Sequence, residues 1–502
     1  MPDATSPASP TAGTDAPDLP KKLRAHVDRL LARPAATRQA SISLGGRTLD
    51  YQVHAAFVPV VAQGNDAAPG EPEAAVLATA YLLQGAAPAQ RPVCFAFNGG
   101  PGSASIWLHL GALGPKRVVV PDDGSMARAP YAVEDNPHTW FEHMDLVFID
   151  PPHTGWSTTA SEAARKKMLS VDGDVDALAE VMRVWLTRHG RWGSPVLLAG
   201  ESYGTTRGAA LADKLQTLGV VLSGLIFVSC AMDLQSIVFA PANDLPYALF
   251  LPAFANVSQY HGLLQGPLGA SPEAARAAAE AFVQDDYAAA LQAGARLGEK
   301  QRSRIARRMA ELTGLSREQV EGQNLRISDG FYFMEALRSR GRVVGRLEAR
   351  ATGPMAAQRS SEWEFDPGIE AISAPYTMAA MAYFRELELD LEQPYRVLAL
   401  EVNKHWNWNR GEQSLGFTST SADLARALRR NTHLQVLAAS GRYDLGTPYS
   451  ASDWSLAQLN APAVVLARVQ HRYYDAGHMM YTRQADLVQL KTDVDNWLKT
   501  FC

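Results

Sequence analysis

The stretch PVLLAGESYGTTRGAALADKLQ (195–216) decides how this chain is read. PVLLA (195–199) is a short apolar run of strand length, and TTRGAALADKLQ (205–216) places apolar residues at helical spacing. Between them lies GESYG (200–204), a Gly-x-Ser-x-Gly turn. A strand-to-helix turn of this kind reverses the backbone sharply, and its glycines permit the close approach that presents the serine oxygen at the tip. Ser202 is therefore a candidate nucleophile, and the acidic neighbour Glu201 needs a reason to be there.

The segments around this turn alternate strand, loop and helix. PVCFAFNGGPGSAS (92–105), MDLVFIDPPHTGWS (144–157) and GLIFVSCAMD (224–233) each open on an apolar run and end in a polar or glycine-rich loop, and DVDALAEVMRVWLTRHG (174–190) has helical spacing. That alternation predicts a mostly parallel central sheet with helices on both faces, and functional loops at the C-terminal ends of its strands. RTLDYQVHAAFVPVV (47–61) and AAVLATAYLLQ (74–84) precede it as an antiparallel edge. From 236 to 404 the rhythm breaks into Ala-rich helical stretches such as SPEAARAAAEAFVQDDYAAALQ (271–292), a mainly helical insertion. The sheet pattern returns in HLQVLAASGRYD (433–444) and AVVLARVQHRYYDAGH (463–478), and ADLVQLKTDVDNWLKTF (485–501) reads as a closing amphipathic helix. The expected organisation is a disordered tail over 1–20, a first core part over 21–235, the insertion over 236–404 and a second core part over 405–502.

Composition narrows the function classes. A net charge of -5 gives no electrostatic reason to expect nucleic acid or an anionic membrane as partner. The basic excess over 299–350 reads as a solvated helical face. No run of 18 apolar residues is present, so no transmembrane helix is expected, and the Pro/Ala/Ser/Thr-rich start lacks the apolar segment of a secretory signal, which favours a cytoplasmic location. Three cysteines, Cys94, Cys230 and Cys502, are odd in number and far apart, so they read as buried thiols rather than as disulfides or a metal site.

The remaining chemistry sits in loops after late strands. In an α/β-hydrolase fold the acid and then the base follow the serine along the chain. Asp444 in GRYD follows LQVLAAS, and His478 lies in the glycine-containing loop YDAGHMMY. His478 would take the serine proton, and Asp444 would hold the imidazole tautomer and stabilise the imidazolium. The turn FNGGPGSAS (97–105) is where such a fold places one oxyanion-hole amide, the other coming from the residue after the nucleophile. Gly100 and Tyr203 are the candidates. A phosphate cradle is disfavoured because the Lys-Ser/Thr ending of a P-loop is absent.

With NGGPGSAS (98–105), DPPHTGWS (150–157), GESYG (200–204), GRYD (441–444) and GHM (477–479) together, the chain resembles the S10 family of serine carboxypeptidases from about residue 45 to its end. The resemblance implies an α/β-hydrolase fold with the helical insertion over the active site, and removal of C-terminal residues from peptides without a metal or other cofactor. It implies the triad Ser202, Asp444 and His478, an oxyanion hole from Gly100 and Tyr203, and Asn98 and Glu201 as the residues that bind the substrate's terminal carboxylate. Glu201 would then share a proton with that carboxylate, because two facing carboxylates do not both stay ionised cheaply.

Two departures stand out. Ser103 occupies a position that is cysteine in many eukaryotic relatives, so the chain resembles a bacterial-type branch, and Ala112 stands where the family commonly has a second acid of the carboxylate network. An esterase, amidase or acyltransferase on the same fold is the alternative, and a non-catalytic binding protein of hydrolase shape the second. The aromatic segments NDLPYALFLPAF (243–254) and NKHWNWN (403–409) either line the cleft or pack the insertion on the sheet. The oligomeric state stays open, a homodimer included.

Overall fold

The computed structural model describes residues 19–61, 70–358, 362–411 and 416–501. The expected tail lies outside the described residues except for Leu19 and Pro20, which open helix α1 (Leu19–Leu31) instead.

Nine strands make the path of the central sheet: β1 (Ala36–Leu44), β2 (Arg47–Val61), β3 (Pro72–Leu83), β4 (Val93–Phe97), β5 (Asp145–Ile149), β6 (Val196–Glu201), β7 (Leu222–Val228), β8 (Gln435–Gly441) and β9 (Val469–Tyr474). Their spatial order is β1-β2-β3-β5-β4-β6-β7-β8-β9, with Thr158–Thr159 pairing off this path beside β3. The first three run antiparallel, β3 meets β5 antiparallel with Ala80 opposite Val147, and from β5 to β9 all pairings are parallel. This is an α/β-hydrolase sheet.

Its two faces explain the apolar runs. On β4, Cys94 and Ala96 join one apolar cluster while Val93, Phe95 and Phe97 join the other, and all five are buried. A strand covered on both faces has no polar position to alternate with, which is why VCFAF reads as a continuous apolar run. The first cluster takes Leu487, Leu490 and Val494 of the closing helix (Gln484–Leu498) together with Tyr376 and Ala379. The second takes Leu178 and Met182 of α2 (Val171–Arg188) and Leu211 and Leu215 of α3 (Tyr203–Thr217). Cys94 and Cys230 are buried free thiols.

The segment 236–404 divides between two cores. Residues from Ala248 of α4 (Leu245–Tyr260) to Ala349 form a separate apolar cluster, which Tyr443 and Leu445 join from the loop after β8. Helix α5 (Pro367–Glu386) instead inserts Ile372, Tyr376, Tyr383 and Phe384 into the first sheet cluster. A second difference from the sequence reading lies at AVVL (463–466). It is a single helical turn rather than strand, beginning directly after Pro462, whose carbonyl accepts from Val465 N, and Val464 is 78 % exposed. No helix among the described residues is long and apolar enough to cross a membrane.

Candidate active site

The turn between β6 and α3 holds Ser202 at φ 59°, ψ −129°, a backbone conformation that side chains rarely adopt. Crowding dictates the flanking glycines. A Cβ on Gly200 would lie 2.3 Å from Gly204 O, and one on Gly204 would lie 2.9 Å from Phe97 O. Ser202 N donates to Val228 O of the neighbouring strand, which pins the turn to the sheet.

Asp444 follows β8 and is fully buried. Its Oδ1 accepts from Gly446 N at 2.7 Å and Thr447 N at 3.0 Å, and its Oδ2 accepts from Thr447 Oγ1 and His478 Nδ1, both at 2.7 Å. Burial opposes its ionisation, but the His478 charge and these hydrogen bonds win and hold the carboxyl below its usual range. Burial also works against a charged His478, yet Asp444 and then Glu201 overcome it and raise the imidazole above its ordinary value.

The histidine loop is fastened from two sides. Leu347 O of the insertion accepts from His478 N at 2.7 Å, and Ser229 Oγ, directly after β7, donates to His478 O at 2.6 Å. Ser229 is itself held at φ 54°. Since β7 lies next to β6, this bond brings His478 to the strand end that carries the serine. Among the described residues neither Ser202 Oγ nor His478 Nε2 has a hydrogen-bond partner, so the Asp444–His478 link is formed and the Ser202–His478 link is not. Such links commonly tighten only when substrate is bound.

The glycine turn after β4 lies against the elbow. A Cβ on Gly99 would sit 2.4 Å from Tyr203 N and 2.7 Å from Gly204 N. Neither Gly100 N nor Tyr203 N has an acceptor among the described residues, so two unsatisfied amides flank the serine. The Tyr203 ring points away into a buried cluster with Trp406 and Trp408, at centroid distances of 5.3 and 5.7 Å. NKHWNWN therefore packs on the elbow, and Phe250 and Phe254 of the other aromatic segment are buried inside the insertion.

Asn98 and Glu201 meet directly. Asn98 Nδ2 donates to Glu201 Oε1 at 3.0 Å, and Leu108 N donates to Asn98 Oδ1 at 3.1 Å, fixing the amide's orientation. Burial pushes the Glu201 carboxyl up to about 7, against the opposing pull of His478, Tyr481 and Asn98. At mildly acidic pH a neutral carboxyl group thus sits next to Ser202 in the chain.

Several supports escape sequence reading. Arg207 donates from Nε to Asp174 Oδ2 at 2.6 Å and from Nη1 to Asn98 O at 2.7 Å, with its guanidinium 5.2 Å from the ring centroids of both Phe97 and Tyr203. Tyr481 Oη donates to Glu201 Oε2 at 2.6 Å. Ser103 accepts from Trp107 Nε1 at 3.0 Å. These partners are far apart along the chain or carry residue types with no chemical signature of their own, and Tyr481 is marked only by following the GHM motif.

Glu142, His143 and Asp495 are close enough together to hold a metal ion, but Lys491 Nζ already bonds Glu142 Oε2 at 3.1 Å and Asp495 Oδ1 at 2.5 Å, so a cation occupies that position.

Residues 81–218, which contain the glycine turn and the elbow, match the serine carboxypeptidase family, peptidase S10. The match is narrower than the resemblance read from residue 45 onward. Among characterised proteins the chain is 31% identical, over 160 residues, to the pheromone-processing carboxypeptidase KEX1 of Yarrowia lipolytica, covering 30% of this chain. It spans about a quarter, 23%, of that relative's length. The solved structure of Kex1(Δ)p, a prohormone-processing carboxypeptidase from Saccharomyces cerevisiae, superposes with a TM-score of 0.56 at 13% identity, covering 90% of this chain and 92% of that one. At that identity the likeness speaks for the fold.

Proposed function

We propose that this chain is a serine carboxypeptidase that releases C-terminal residues from peptides through an acyl-enzyme. The observation that carries the reading is Glu201: a buried carboxyl with a pKa raised to about 7, hydrogen-bonded to Asn98 and adjacent in sequence to the nucleophile. A neutral carboxyl and an amide N–H are donors suited to an incoming carboxylate, and the substrate's own charge raises the Glu201 pKa further.

With the C-terminal carboxylate held there, Ser202 Oγ attacks the last peptide carbonyl while His478 Nε2 takes its proton. Asp444 keeps the other ring nitrogen protonated and stabilises the imidazolium. The tetrahedral oxyanion is received by the Gly100 and Tyr203 amides. Collapse breaks the C–N bond, the amine leaves with the proton from His478, and an ester of Ser202 remains. Water, deprotonated by His478, hydrolyses the ester and restores the serine.

Two ionisations act in opposite senses. His478 must be neutral, so turnover of any substrate rises as pH climbs through its raised pKa. Glu201 must be protonated to receive a free acid, so that substrate class is lost as pH climbs past about 7. The ratio of kcat/KM for an N-blocked peptide acid to that for its C-terminal amide divides out His478 and reports Glu201 alone.

The test is product analysis by mass spectrometry of that pair at pH 5 and pH 7.5, with Ser202→Ala as blank and Glu201→Gln alongside. Stepwise loss of single C-terminal residues, with the acid-to-amide ratio falling toward pH 7.5 and flat in Glu201→Gln, is the expected result. Ester hydrolysis that requires Ser202, without peptide cleavage, would keep the triad and replace the peptidase by an esterase.

A further inference from the structure

Position 112 poses a problem for the carboxylate site. Ala112 brings no carboxyl, and it lies with Gly111 in a fully buried π-helical turn, His109–Leu113. At Gly111 the space is taken by an aromatic ring from elsewhere. A Cβ on Gly111 would be 2.5 Å from Tyr481 Cε2 and 2.8 Å from Tyr376 Oη, so this position has room for hydrogen only. Tyr481 is 1 % exposed, and its hydroxyl donates to Glu201 Oε2 at 2.6 Å while Asn98 holds Oε1.

We propose that Tyr481 is the positioning residue of the carboxylate site, its phenol holding Glu201 Oε2 while Asn98 holds Oε1. The inference rests on the reading that Asn98 and Glu201 take the substrate's terminal carboxylate.

The groups that face Glu201 are Asn98 from the end of β4, His478 and Asp444 of the triad, Tyr481, and Tyr376 from α5. Burial, and then the proximity of Glu201, hold the Tyr481 hydroxyl well above its ordinary ionisation range, so it stays a donor throughout the pH span of the reaction. The distinction from a second acid is physical. Two facing carboxyls share protons and titrate in two coupled steps. A carboxyl facing a phenol loses one proton in one step. Binding of a free acid should therefore switch off as a single-proton event, tenfold per pH unit above the midpoint. A donor that stabilises the ionised carboxyl also holds that midpoint down, and its removal must move the midpoint up.

The experiment measures the acid-to-amide ratio of kcat/KM from pH 5 to pH 9 for the wild-type protein, Tyr481→Phe, Gly111→Ala and Glu201→Gln, each normalised to serine sites titrated with a covalent label. In the wild type the ratio falls with single-proton slope through a midpoint near 7, the value set by Glu201. In Tyr481→Phe the midpoint is expected to rise by roughly one pH unit, the size of a lost charge-assisted hydrogen bond. Gly111→Ala, whose methyl group displaces the tyrosine ring while keeping its hydroxyl, moves it in the same direction.

An unmoved midpoint in both variants, with the pH dependence abolished in Glu201→Gln, would overturn the role of Tyr481 and leave the carboxylate site standing. A ratio whose pH dependence survives in Glu201→Gln would remove the carboxylate site itself, and the role of Tyr481 with it. A general loss of activity from poor packing lowers acid and amide together and moves no midpoint, so it counts against the proposal.

Discussion

A carboxyl held neutral in a folded protein costs stability once the solution is alkaline enough to ionise it in the unfolded chain. Glu201 allows that cost to be worked out. Its pKa rises from 4.5 to about 7 on burial. Between these values the native state keeps a proton that the unfolded chain has released, so stability falls as pH increases through that window. At about 1.4 kcal/mol per pH unit, the rise amounts to about 3 kcal/mol, lost progressively from below pH 4.5 to above pH 7. Glu201→Gln has the same shape and no titration. Its carbonyl can accept from Asn98 Nδ2, and its amide can donate to Tyr481 Oη, which turns to accept. The variant should match the wild type within about 1 kcal/mol at pH 4.5 and exceed it by about 3 kcal/mol at pH 8. Urea unfolding of both proteins at pH 4.5, 6 and 8 gives the double difference, in which carboxyls and histidines remote from Glu201 cancel. A difference that stays flat with pH, or a variant that loses stability relative to wild type as pH rises, would show that Glu201 is ionised in the folded protein. The proton proposed to meet the substrate would then not be there.

Two further predictions probe the elbow and its support. Gly200→Ala places a methyl group 2.3 Å from Gly204 O, a backbone atom with nowhere to go, so a destabilisation of about 3 kcal/mol or more and loss of serine labelling are expected, read from the urea midpoint and the labelled fraction. Arg207→Met leaves Asp174 buried without its cation, at a cost of about 3–5 kcal/mol. The double variant with Asp174→Asn should recover much of that stability but not the Arg207 bond to Asn98 O, so KM for peptide acids should stay raised; a double variant no more stable than Arg207→Met would show that the ion pair is not the source of the loss.

What could be read in the sequence is what local geometry writes there. The elbow was legible because Gly200 is demanded by a contact within the same five residues, to Gly204 O, and the parallel strands because burial on both faces strips them of polar positions, as in VCFAF (93–97). Asp444 and His478 were legible through chain order and their loops. AVVL (463–466) misled because an apolar tetrapeptide specifies neither period, and Pro462 just before it decides for a helical turn. Helix α5 looked like part of an insertion because the strand rhythm breaks over 236–404, and a helical stretch there does not say what it packs against; only the fold shows Tyr376 and Tyr383 inside the sheet's own core.

The carboxylate site shows the same limit more sharply. Ala112 announces that an acid is missing, which sequence can say, but the group that meets Glu201 lies 280 residues further along the chain. Nothing local to Tyr481 sets it apart from a buried aromatic residue. Its role depends on Gly111 having no side chain, on the His478 loop being tied by Ser229 and Leu347, and on Asn98 already occupying the other Glu201 oxygen. Each condition is ordinary packing taken singly. Taken together they leave the second oxygen of a buried carboxyl facing one hydroxyl that stays protonated throughout the working pH range. A buried carboxyl held by an amide and a phenol differs from one held by the amide alone by a midpoint that Tyr481→Phe will or will not move.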